Sequence, residues 1–462
     1  MSTTTASCEG AYKPSNGRHL SASEFDGLMQ HCGALGAKPH VAVAVSGGPD
    51  SIALTHLLND WLNQRGGKLF AITIDHQLRA ESATEAAQVH EWCVSKKITH
   101  VTLKWEKEHA PSSAIHQQAR NARYELLMQA CRNLKIEHLF VAHHADDQAE
   151  TVMMRFLKGS GVDGLAGMPS SRLMDGIKLI RPLLPVHKHR LEATCAMNGW
   201  AYVRDPSNES EAYLRGRLRN LAGPLAQEGV TTATLYEVAR SAGLARATLE
   251  ETTNQWLKQY AEVSAFGHIQ IDMNAWKSLG DDMKRRVLIR VLLCMSGEDY
   301  PPKNASIEIL VQNLLSKETP HQTLCGCQII MQFGLIKFYR EHAALPKAAR
   351  LENNMLWDNR FKIITNSSHL ASLIDKNLYI APLGALGREL LEKMGYKQVA
   401  DCAALHRATL PALYVDNQLH SVPEFTTEQD AANNPQAIVK AIFLPKRLLL
   451  SETFKPCPAL LG

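Results

Sequence analysis

Long apolar runs are missing from this sequence of 462 residues. No segment approaches the roughly 18–20 uninterrupted apolar residues that a helix needs to cross a bilayer. Residues 1–16 lack the charged start and the apolar middle of a signal peptide. We therefore expect a cytoplasmic protein with no membrane among its partners.

Paired cysteines are missing as well. The 10 cysteines are scattered, none of them forms a CxxC pair, and Cys325 and Cys327 are the one close pair. Zinc and redox sites commonly use the CxxC spacing. We therefore expect structural thiols, with no structural zinc, no iron–sulfur cluster and no disulfide framework.

A strong excess of one charge is also absent. There are 50 Lys and Arg residues against 46 Asp and Glu residues, which gives a net charge of +4. This mildly basic balance permits a polyanionic partner without requiring one. The length, together with 45% hydrophobic residues, predicts two to four globular domains.

The first half of the chain alternates between two kinds of segment. Short apolar runs such as HVAVAV (40–45), KLFAITI (68–74) and HLFVAH (138–143) indicate strands that are buried on both faces. Longer amphipathic stretches between them, such as 83–96 and 114–134, indicate helices. This alternation predicts an α/β domain with a doubly wound parallel sheet.

The second half changes character twice. Helical periodicity dominates from about residue 231 to 315, and short strand and turn signals follow from about 322. We predict an N-terminal extension (1–36), the α/β domain (37–225), a helical domain (226–320) and a small α+β C-terminal domain (321–462).

A glycine-rich turn follows the first predicted strand. Its glycines can approach a phosphate closely, and the helix after it begins with N–H groups that have no intrahelical partner. A Walker A loop would supply a lysine here, whereas this turn has Asp50, which suits Mg²⁺ held beside phosphates. An ordinary strand-to-helix turn is the alternative. The turn comprises Ser46, Gly47, Gly48, Pro49, Asp50 and Ser51.

A second polar group, Asp75, His76 and Arg79, follows the second predicted strand. The carboxyl ends of parallel strands form the edge at which α/β sheets bind ligands. These residues are therefore candidates for a nucleotide-binding edge. The alternative is a surface ion pair between Asp75 and Arg79, with His76 as an ordinary loop histidine.

A third group follows the fourth predicted strand. Zinc is disfavoured there, because two adjacent histidines leave the chain on opposite sides. Mg²⁺ ligation and binding of a substrate amine by Asp146 or Asp147 fit better, and a solvated helix start whose acids complement the helix dipole is the alternative. Because all three groups follow strand ends, they predict one cleft. The third group comprises His143, His144, Asp146, Asp147, Gln148 and Glu150.

These motifs together resemble a known family. SGGPDS, DHQLR and HHADDQAET are similar to the motifs of the N-type PP-loop ATPases and, within them, of the tRNA(Ile)-lysidine synthetases. Matching segments follow in the same order: ARNARY (119–124), RPLL (181–184), DPSN (205–208) and YLRGRLRN (213–220). The chain departs from the family at Gly216, where Asn is common, and at Gln117 and Gln118, where an acidic residue is often found.

The resemblance implies an activity. Such an enzyme uses ATP to join L-lysine to C2 of cytidine 34 in the CAU anticodon of a tRNA(Ile), through an adenylated cytidine. The modified base pairs with A in place of G and changes the charging identity from methionine to isoleucine. ATP and Mg²⁺ are the implied cofactors, and the tRNA and L-lysine are the implied partners. The oligomeric state stays open, with a homodimer as one option.

The resemblance also implies roles for the residues of the cleft. Ser46, Gly47, Gly48 and Ser51 would bind pyrophosphate, while Asp50 and Asp147 would hold Mg²⁺. Asp75, His76 and Arg79 would line the nucleotide edge. Lysine carries two amines, so Asp146 and Glu150 are candidates for its pocket. His143 or His144 could act as the general base.

Basic residues supply candidates for phosphate contacts. Arg120 and Arg123 could reach phosphates of ATP or tRNA, or could form an exposed helix rim. A second patch would bind tRNA phosphates, and a merely solvated basic face is its alternative. This patch comprises Lys178, Arg181, Lys188, Arg190, Arg215, Arg217 and Arg219. Basic residues of the C-terminal half, including Arg340, are weaker candidates for contacts to the acceptor stem.

Two other functions are alternatives to the lysine-joining activity. A tRNA thiolase would also adenylate a base, but sulfur insertion usually needs catalytic cysteines or a cluster, and only Cys131 lies near the motifs in sequence. A catalytically inactive RNA-binding scaffold would be expected to have lost several of the acidic residues, and all of them are present.

Overall fold

The computed structural model describes residues 18–77, 82–105, 115–203, 214–316, 321–365, 377–426 and 439–461. The chain forms two compact units, one with residues 18–248 and 453–461 and the other with residues 249–452. Among the described residues, no helix is long and apolar enough to cross a membrane.

The first unit is built on a six-stranded sheet with the strand order β3-β2-β1-β4-β6-β5. All neighbouring pairs are parallel except β5 and β6. The predicted α/β fold with a parallel sheet is therefore confirmed. The strands are β1 (His40–Ala44), β2 (Lys68–Asp75), β3 (Thr99–Lys104), β4 (His138–Phe140), β5 (Ser171–Met174) and β6 (Ile177–Ile180).

Helices cover both faces of this sheet. Val41 and Val43 of the central strand belong to one hydrophobic core, whereas Ala42 between them belongs to another. This division follows because successive side chains of a strand point to opposite faces. The helices that start in this unit are α1 (Ala22–Gln30), α2 (Pro49–Asn63), α3 (Ser82–Ser95), α4 (Ile115–Asn133), α5 (Ala145–Phe156), α6 (Val162–Leu165), α7 (Lys188–Asn198), α8 (Leu214–Gln227) and α9 (Thr232–Tyr260).

Helix α1 lies in the segment that the sequence set apart as an extension. Ser21 and Glu24 form a capping box at its start, and Phe25 and Met29 are buried in the core that contains β1. The Glu24 carboxylate also accepts a hydrogen bond from Arg190 of α7 at 2.9 Å. This segment is therefore packed into the first unit.

The second unit contains a five-stranded sheet, β7-β8-β11-β10-β9, and two four-stranded sheets, β12-β15-β16-β17 and β13-β14-β19-β18. Its helices after α9 are α10 (Met273–Lys277), α11 (Asp281–Ser296), α12 (Asn304–Ser316), α13 (Arg388–Lys393), α14 (Lys397–Ala400) and α15 (Ala404–Arg407). A 3₁₀ turn spans His342–Ala344.

Most strands of the second unit are short. They are β7 (Ala261–Val263), β8 (Ile269–Asp272), β9 (His321–Leu324), β10 (Cys327–Gln332), β11 (Leu335–Arg340), β12 (Ala349–Arg350), β13 (Met355–Trp357), β14 (Phe361–Thr365), β15 (Leu378–Pro382), β16 (Pro411–Val415), β17 (Gln418–Ser421), β18 (Glu424–Thr426) and β19 (Val439–Phe443). Strands β7 and β8 lie where the sequence indicated helices, and β8 pairs with β11 across the suggested boundary at 320/321. The four-part division of the chain stays a prediction.

Candidate functional site

The strand order places three sequence motifs side by side. Strand β1 lies between β2 and β4, and all three run parallel, so their carboxyl ends meet at one edge of the sheet. The chain continues from β1 to β2 on one side and later returns to β4 on the other. Ligands of open α/β sheets bind in the crevice at such a switch point.

The glycine-rich turn connects β1 to α2 at this crevice. Gly47 has a φ of +86°, and a Cβ at this position would lie 3.1 Å from Cγ2 of Val89. Only glycine adopts this conformation without strain. The Ser46 amide donates to Oγ of Ser51 at 3.2 Å, and that hydroxyl donates to the Gly48 carbonyl at 3.0 Å. The turn is therefore held together by its own hydrogen bonds.

Helix α2 begins directly after this turn. Gly48 is its N-cap residue, and Pro49 occupies the first helical position, where no N–H donor is required. The first N–H groups of the helix have no intrahelical partner and form the positive end of the helix dipole. This helix start offers donors to an anion.

A carboxylate stands beside these donors. Asp50 lies 3.6 Å from the His144 imidazole, measured from Oδ2 to Nε2. Its other oxygen, Oδ1, is buried and has no hydrogen-bond partner among the described residues. A buried carboxylate oxygen without a partner is costly unless a ligand such as a cation completes it.

His144 is the N-cap residue of α5 and lies at the centre of an acidic cluster. Its amide donates to Oδ2 of Asp147 at 3.2 Å, and the Asp147 amide approaches Nδ1 of His144 at 3.4 Å. Burial alone would lower the pKa of the imidazole. The carboxylates of Asp147, Asp146 and Asp50 outweigh this and raise the pKa well above its ordinary value.

Asp146 links α5 to two other segments of the first unit. Its Oδ2 accepts from the Lys188 amide at 2.8 Å, and its Oδ1 accepts from the Thr232 hydroxyl at 3.2 Å. Burial opposes the ionised form, but His144 and the Lys188 amide lower the pKa of Asp146 below its ordinary value. Both oxygens of this candidate for lysine binding already accept protein hydrogen bonds.

Glu150, the other candidate for lysine binding, pairs with Arg219 of α8. The Arg219 Nε lies 2.5 Å from Oε1 of Glu150. Burial opposes the charged guanidinium, but Glu150, and beyond it Asp147, raise the pKa of Arg219. The sequence suggested Arg219 as a tRNA contact, and the structure brings it to the acidic cluster. Arg217 is exposed, whereas the side chain of Arg215 lies outside the described residues.

His143 points toward β6 and contacts Arg181. The Arg181 Nε donates to Nδ1 of His143 at 3.2 Å, and its Nη1 donates to the Pro169 carbonyl at 2.9 Å. Only 4% of the Arg181 surface is exposed, and only 2% of the Arg190 surface. The sequence placed both arginines in an exposed basic patch, whereas the structure buries their guanidinium groups.

The carboxyl end of β2 completes the edge. Asp75 is buried, and its Oδ1 accepts from the Gln77 amide at 2.9 Å. Nδ1 of His76 is buried and has no hydrogen-bond partner among the described residues. Burial lowers the pKa of His76, and the positive charge of Arg123 lowers it further. Arg123 of α4 therefore lies near this motif. Arg79, the side chain of Arg120 and the DPSN segment lie outside the described residues.

The sequence motifs did not predict two contacts of the site, the N-cap of α5 and a hydrogen bond to Asp146. Histidine is not a usual N-cap residue, so nothing indicated that His144 caps α5. The contact of Thr232 with Asp146 joins residues that are 86 positions apart. No local pattern in the sequence predicts such a contact.

Comparisons with known proteins show which family this chain resembles. A family model described as a PP-loop domain matches residues 20–226. A tRNA(Ile)-lysidine synthase from Ruegeria pomeroyi is 34% identical, with 79% of this chain and 84% of that protein covered. Proteins with the same name from Orientia tsutsugamushi and Rhodopseudomonas palustris are 32% and 40% identical, and 78% and 81% of those proteins are covered.

The first unit therefore contains a PP-loop domain. The similarity also extends beyond this domain, since the matches cover 73% of the chain for the Orientia protein and 79% for the Ruegeria protein. The chain belongs to the tRNA(Ile)-lysidine synthase family. The resemblance drawn from the sequence motifs is confirmed.

Proposed function

We propose that this protein joins L-lysine to C2 of cytidine 34 in the CAU anticodon of a tRNA(Ile), with ATP as the second substrate. Family membership supports this proposal. The observation that carries it is the meeting of the glycine-rich turn with the carboxylates of Asp50 and Asp147 at one sheet edge.

The reaction needs an activated base. The oxygen on C2 of cytosine is a poor leaving group until ATP adenylates it, and adenylation releases pyrophosphate. The turn from Ser46 to Ser51 would bind the pyrophosphate end of ATP, because it combines a close backbone approach at Gly47 with the N–H donors of α2. The lysine ε-amine would then attack C2, and AMP would leave.

The charges of the cluster fit a divalent cation. Three carboxylates, those of Asp50, Asp146 and Asp147, surround the single imidazole ring of His144, so negative charge is in excess. Oδ1 of Asp50 is the buried oxygen without a described partner. We propose that Asp50 and Asp147 would hold Mg²⁺, which would supply positive charge beside the phosphates of ATP. His144 would keep the carboxylates oriented.

The lysine pocket would lie on the α5 side of the cleft. Glu150 faces Arg219, so a lysine ammonium group would share or take over this carboxylate. Asp146 is held by the Lys188 amide and by Thr232, which fixes its position and favours an orienting role. We propose Glu150 as the main contact to a lysine amine.

Proton removal from the amine narrows the choice of base. Both ring nitrogens of His144 already face the carboxylates of Asp50, Asp146 and Asp147. His143 can accept a proton at Nδ1 only after Arg181 releases its hydrogen bond to this atom. We propose His143 as the base, with Arg181 as the group that orients its ring.

Incorporation of labelled lysine into tRNA tests the proposal. A tRNA(Ile) transcript with the CAU anticodon should take up labelled lysine when ATP and Mg²⁺ are present, and a matched transcript with uridine at position 34 should not. A Glu150→Gln variant should raise the KM for lysine and leave the affinity for ATP unchanged. Equal uptake by both transcripts would contradict the proposal.

A further inference from the structure

An extended segment belongs to the first unit although it follows the second unit along the chain. Residues 453–461, which we call the anchor segment, form neither helix nor strand and are part of the first unit. Phe454 and Cys457 of this segment are buried. Cys457 shares one small hydrophobic core with Ala145 of α5 and Tyr236 of α9. The anchor segment therefore packs against the helix that carries the third motif.

The anchor segment lies along α9. The Tyr236 hydroxyl donates to the Pro458 carbonyl at 3.0 Å. Gly243 lies about two turns further along the same face of the helix. A Cβ at Gly243 would lie 3.1 Å from Cε1 of Phe454 and 3.3 Å from Cβ of Pro456. A glycine at this position therefore allows the segment to pack directly on the helix.

The anchor segment also holds the connection from β6 to α7. The Leu461 amide donates to the Pro185 carbonyl at 2.8 Å. The next residue of this connection, Val186, accepts a hydrogen bond from the Ala145 amide at 2.9 Å. The connection is therefore bonded to the anchor segment and to the first residue of α5.

A third contact of the anchor segment is made to Gln148, which belongs to the third motif. Gln148 is buried, and its side-chain amide bonds the Met168 backbone, with Nε2 donating at 3.1 Å and Oε1 accepting at 2.8 Å. The Cys457 thiol lies within hydrogen-bonding reach of the side chains of Gln148 and Tyr236. This thiol therefore links α5 to α9.

Two donors from outside α5 hold the Asp146 carboxylate, and both lie close to these contacts. The Lys188 amide donates to Oδ2, and Lys188 follows Pro185 by three residues. The Thr232 hydroxyl donates to Oδ1, and Thr232 precedes Tyr236 by about one turn of α9. The position of this carboxylate therefore depends on how α7 and α9 are held against α5.

We propose that the anchor segment positions Asp146 for the lysine-joining reaction, with Tyr236 and Cys457 as positioning residues. This inference rests on the proposed function. Oδ2 of Asp146 lies 3.5 Å from Nδ1 of His144, so a shift of Asp146 would disturb the centre of the acidic cluster. The turn proposed to bind pyrophosphate is held by its own hydrogen bonds. Loosening the segment should therefore lower kcat and leave the KM for ATP unchanged.

Gly243→Ala tests this proposal by pushing the anchor segment away from α9. The added Cβ would meet Phe454 and Pro456. Gly27→Ala is the matched control, because Gly27 lies inside α1 and an added Cβ would meet no atom within 4 Å. Alanine favours the helix in both variants, so the contact with the anchor segment is the difference between them.

Tyr236→Phe is a milder test, because it removes the hydroxyl that donates to Pro458 and keeps the ring. Tyr414→Phe is its matched control. The Tyr414 hydroxyl donates to the Pro382 carbonyl at 3.1 Å in the second unit, so the same kind of bond is lost there. A merely structural role of Tyr236 would lower the melting temperature and leave kcat per folded molecule unchanged.

The assay is steady-state incorporation of labelled lysine into the tRNA, measured per folded molecule below the unfolding transition. A misplacement of about 1 Å can cost roughly 100-fold in rate, so we expect kcat to fall roughly 5–10-fold in Gly243→Ala and roughly 2–5-fold in Tyr236→Phe. The KM for ATP should stay within about twofold of the native value, and both controls should keep the native kcat.

Three results would overturn the proposal. The first is a native kcat in both Gly243→Ala and Tyr236→Phe, and the second is an equal fall of kcat in their controls. The third is a rise of the KM for ATP in proportion to the fall of kcat, because the segment would then act on the fold of the whole unit. Absence of incorporation by the native chain is a separate outcome, which would contradict the proposed function and this inference with it.

Discussion

The conformation of Gly47 gives a prediction whose size follows from the structure. An L-residue at a φ of +86° costs roughly 1–2 kcal/mol. A Cβ at 3.1 Å from Cγ2 of Val89 adds a steric cost, and overpacking typically costs roughly 1–3 kcal/mol. Gly47→Ala should therefore destabilise the first unit by roughly 2–5 kcal/mol and weaken the binding of ATP.

Gly48→Ala is the matched control for this prediction. Gly48 has a φ of −72°, and the nearest atom to an added Cβ would be Oγ of Ser46 at 3.8 Å. The expected cost is roughly 0.5–1 kcal/mol, because alanine is a poorer N-cap residue than glycine. Urea denaturation followed by circular dichroism measures both variants. Equal losses of stability for Gly47→Ala and Gly48→Ala would refute the reasoning.

Val89→Ala separates the two costs of Gly47→Ala. Removing Cγ2 of Val89 relieves the steric contact and leaves the φ strain unchanged. A double-mutant cycle should therefore give a favourable coupling of roughly 1 kcal/mol or more between the two substitutions. A coupling of zero would mean that the backbone moves away from Val89 in the variant.

Three further predictions concern other parts of the first unit. Asp50→Ala should lower the rate of pyrophosphate release more than roughly 100-fold, since charge stabilisation by a bound metal is worth several kcal/mol; normal turnover would rule out the Mg²⁺ role. Arg217→Ala should weaken tRNA binding and reduce its salt dependence without changing ATP affinity; unchanged tRNA affinity in a filter-binding assay would place the phosphate contacts elsewhere. Glu24→Gln should destabilise the unit by roughly 1 kcal/mol at neutral pH. Burial opposes ionisation of Glu24, but the Ser21 amide and Arg190 lower its pKa from 4.5 to about 2, so this loss should shrink as the pH falls from 4.5 toward 2. A loss independent of pH in thermal unfolding would contradict the assignment.

The fold of the first unit was predictable because its strands and helices repeat local patterns. The alternation of short apolar runs, such as 40–45, with longer amphipathic stretches predicted the parallel sheet. The three polar groups at strand ends predicted one cleft, whereas the strand order β2-β1-β4 that forms it is known from the structure alone. In the second unit, β7 and β8 span 3 and 4 residues, which is too short for a periodic signal.

The contacts within the site were less predictable, because tertiary packing decides them. Arg181 and Arg219 both belong to basic segments that suggested exposed phosphate contacts. Arg181 is buried and donates hydrogen bonds to His143 and to the Pro169 carbonyl, whereas Arg219 donates to Glu150. The sequence shows that an arginine is charged but does not show its partner. Arg181 and its partner His143 are 38 residues apart, and Arg219 and its partner Glu150 are 69 residues apart.

The central claim is tested most directly by measuring pyrophosphate release while one reaction component at a time is left out. We predict sustained release when ATP, Mg²⁺, L-lysine and a tRNA(Ile) with the CAU anticodon are all present, and loss of turnover when either lysine or the tRNA is left out. Turnover that does not depend on both lysine and tRNA would contradict the account.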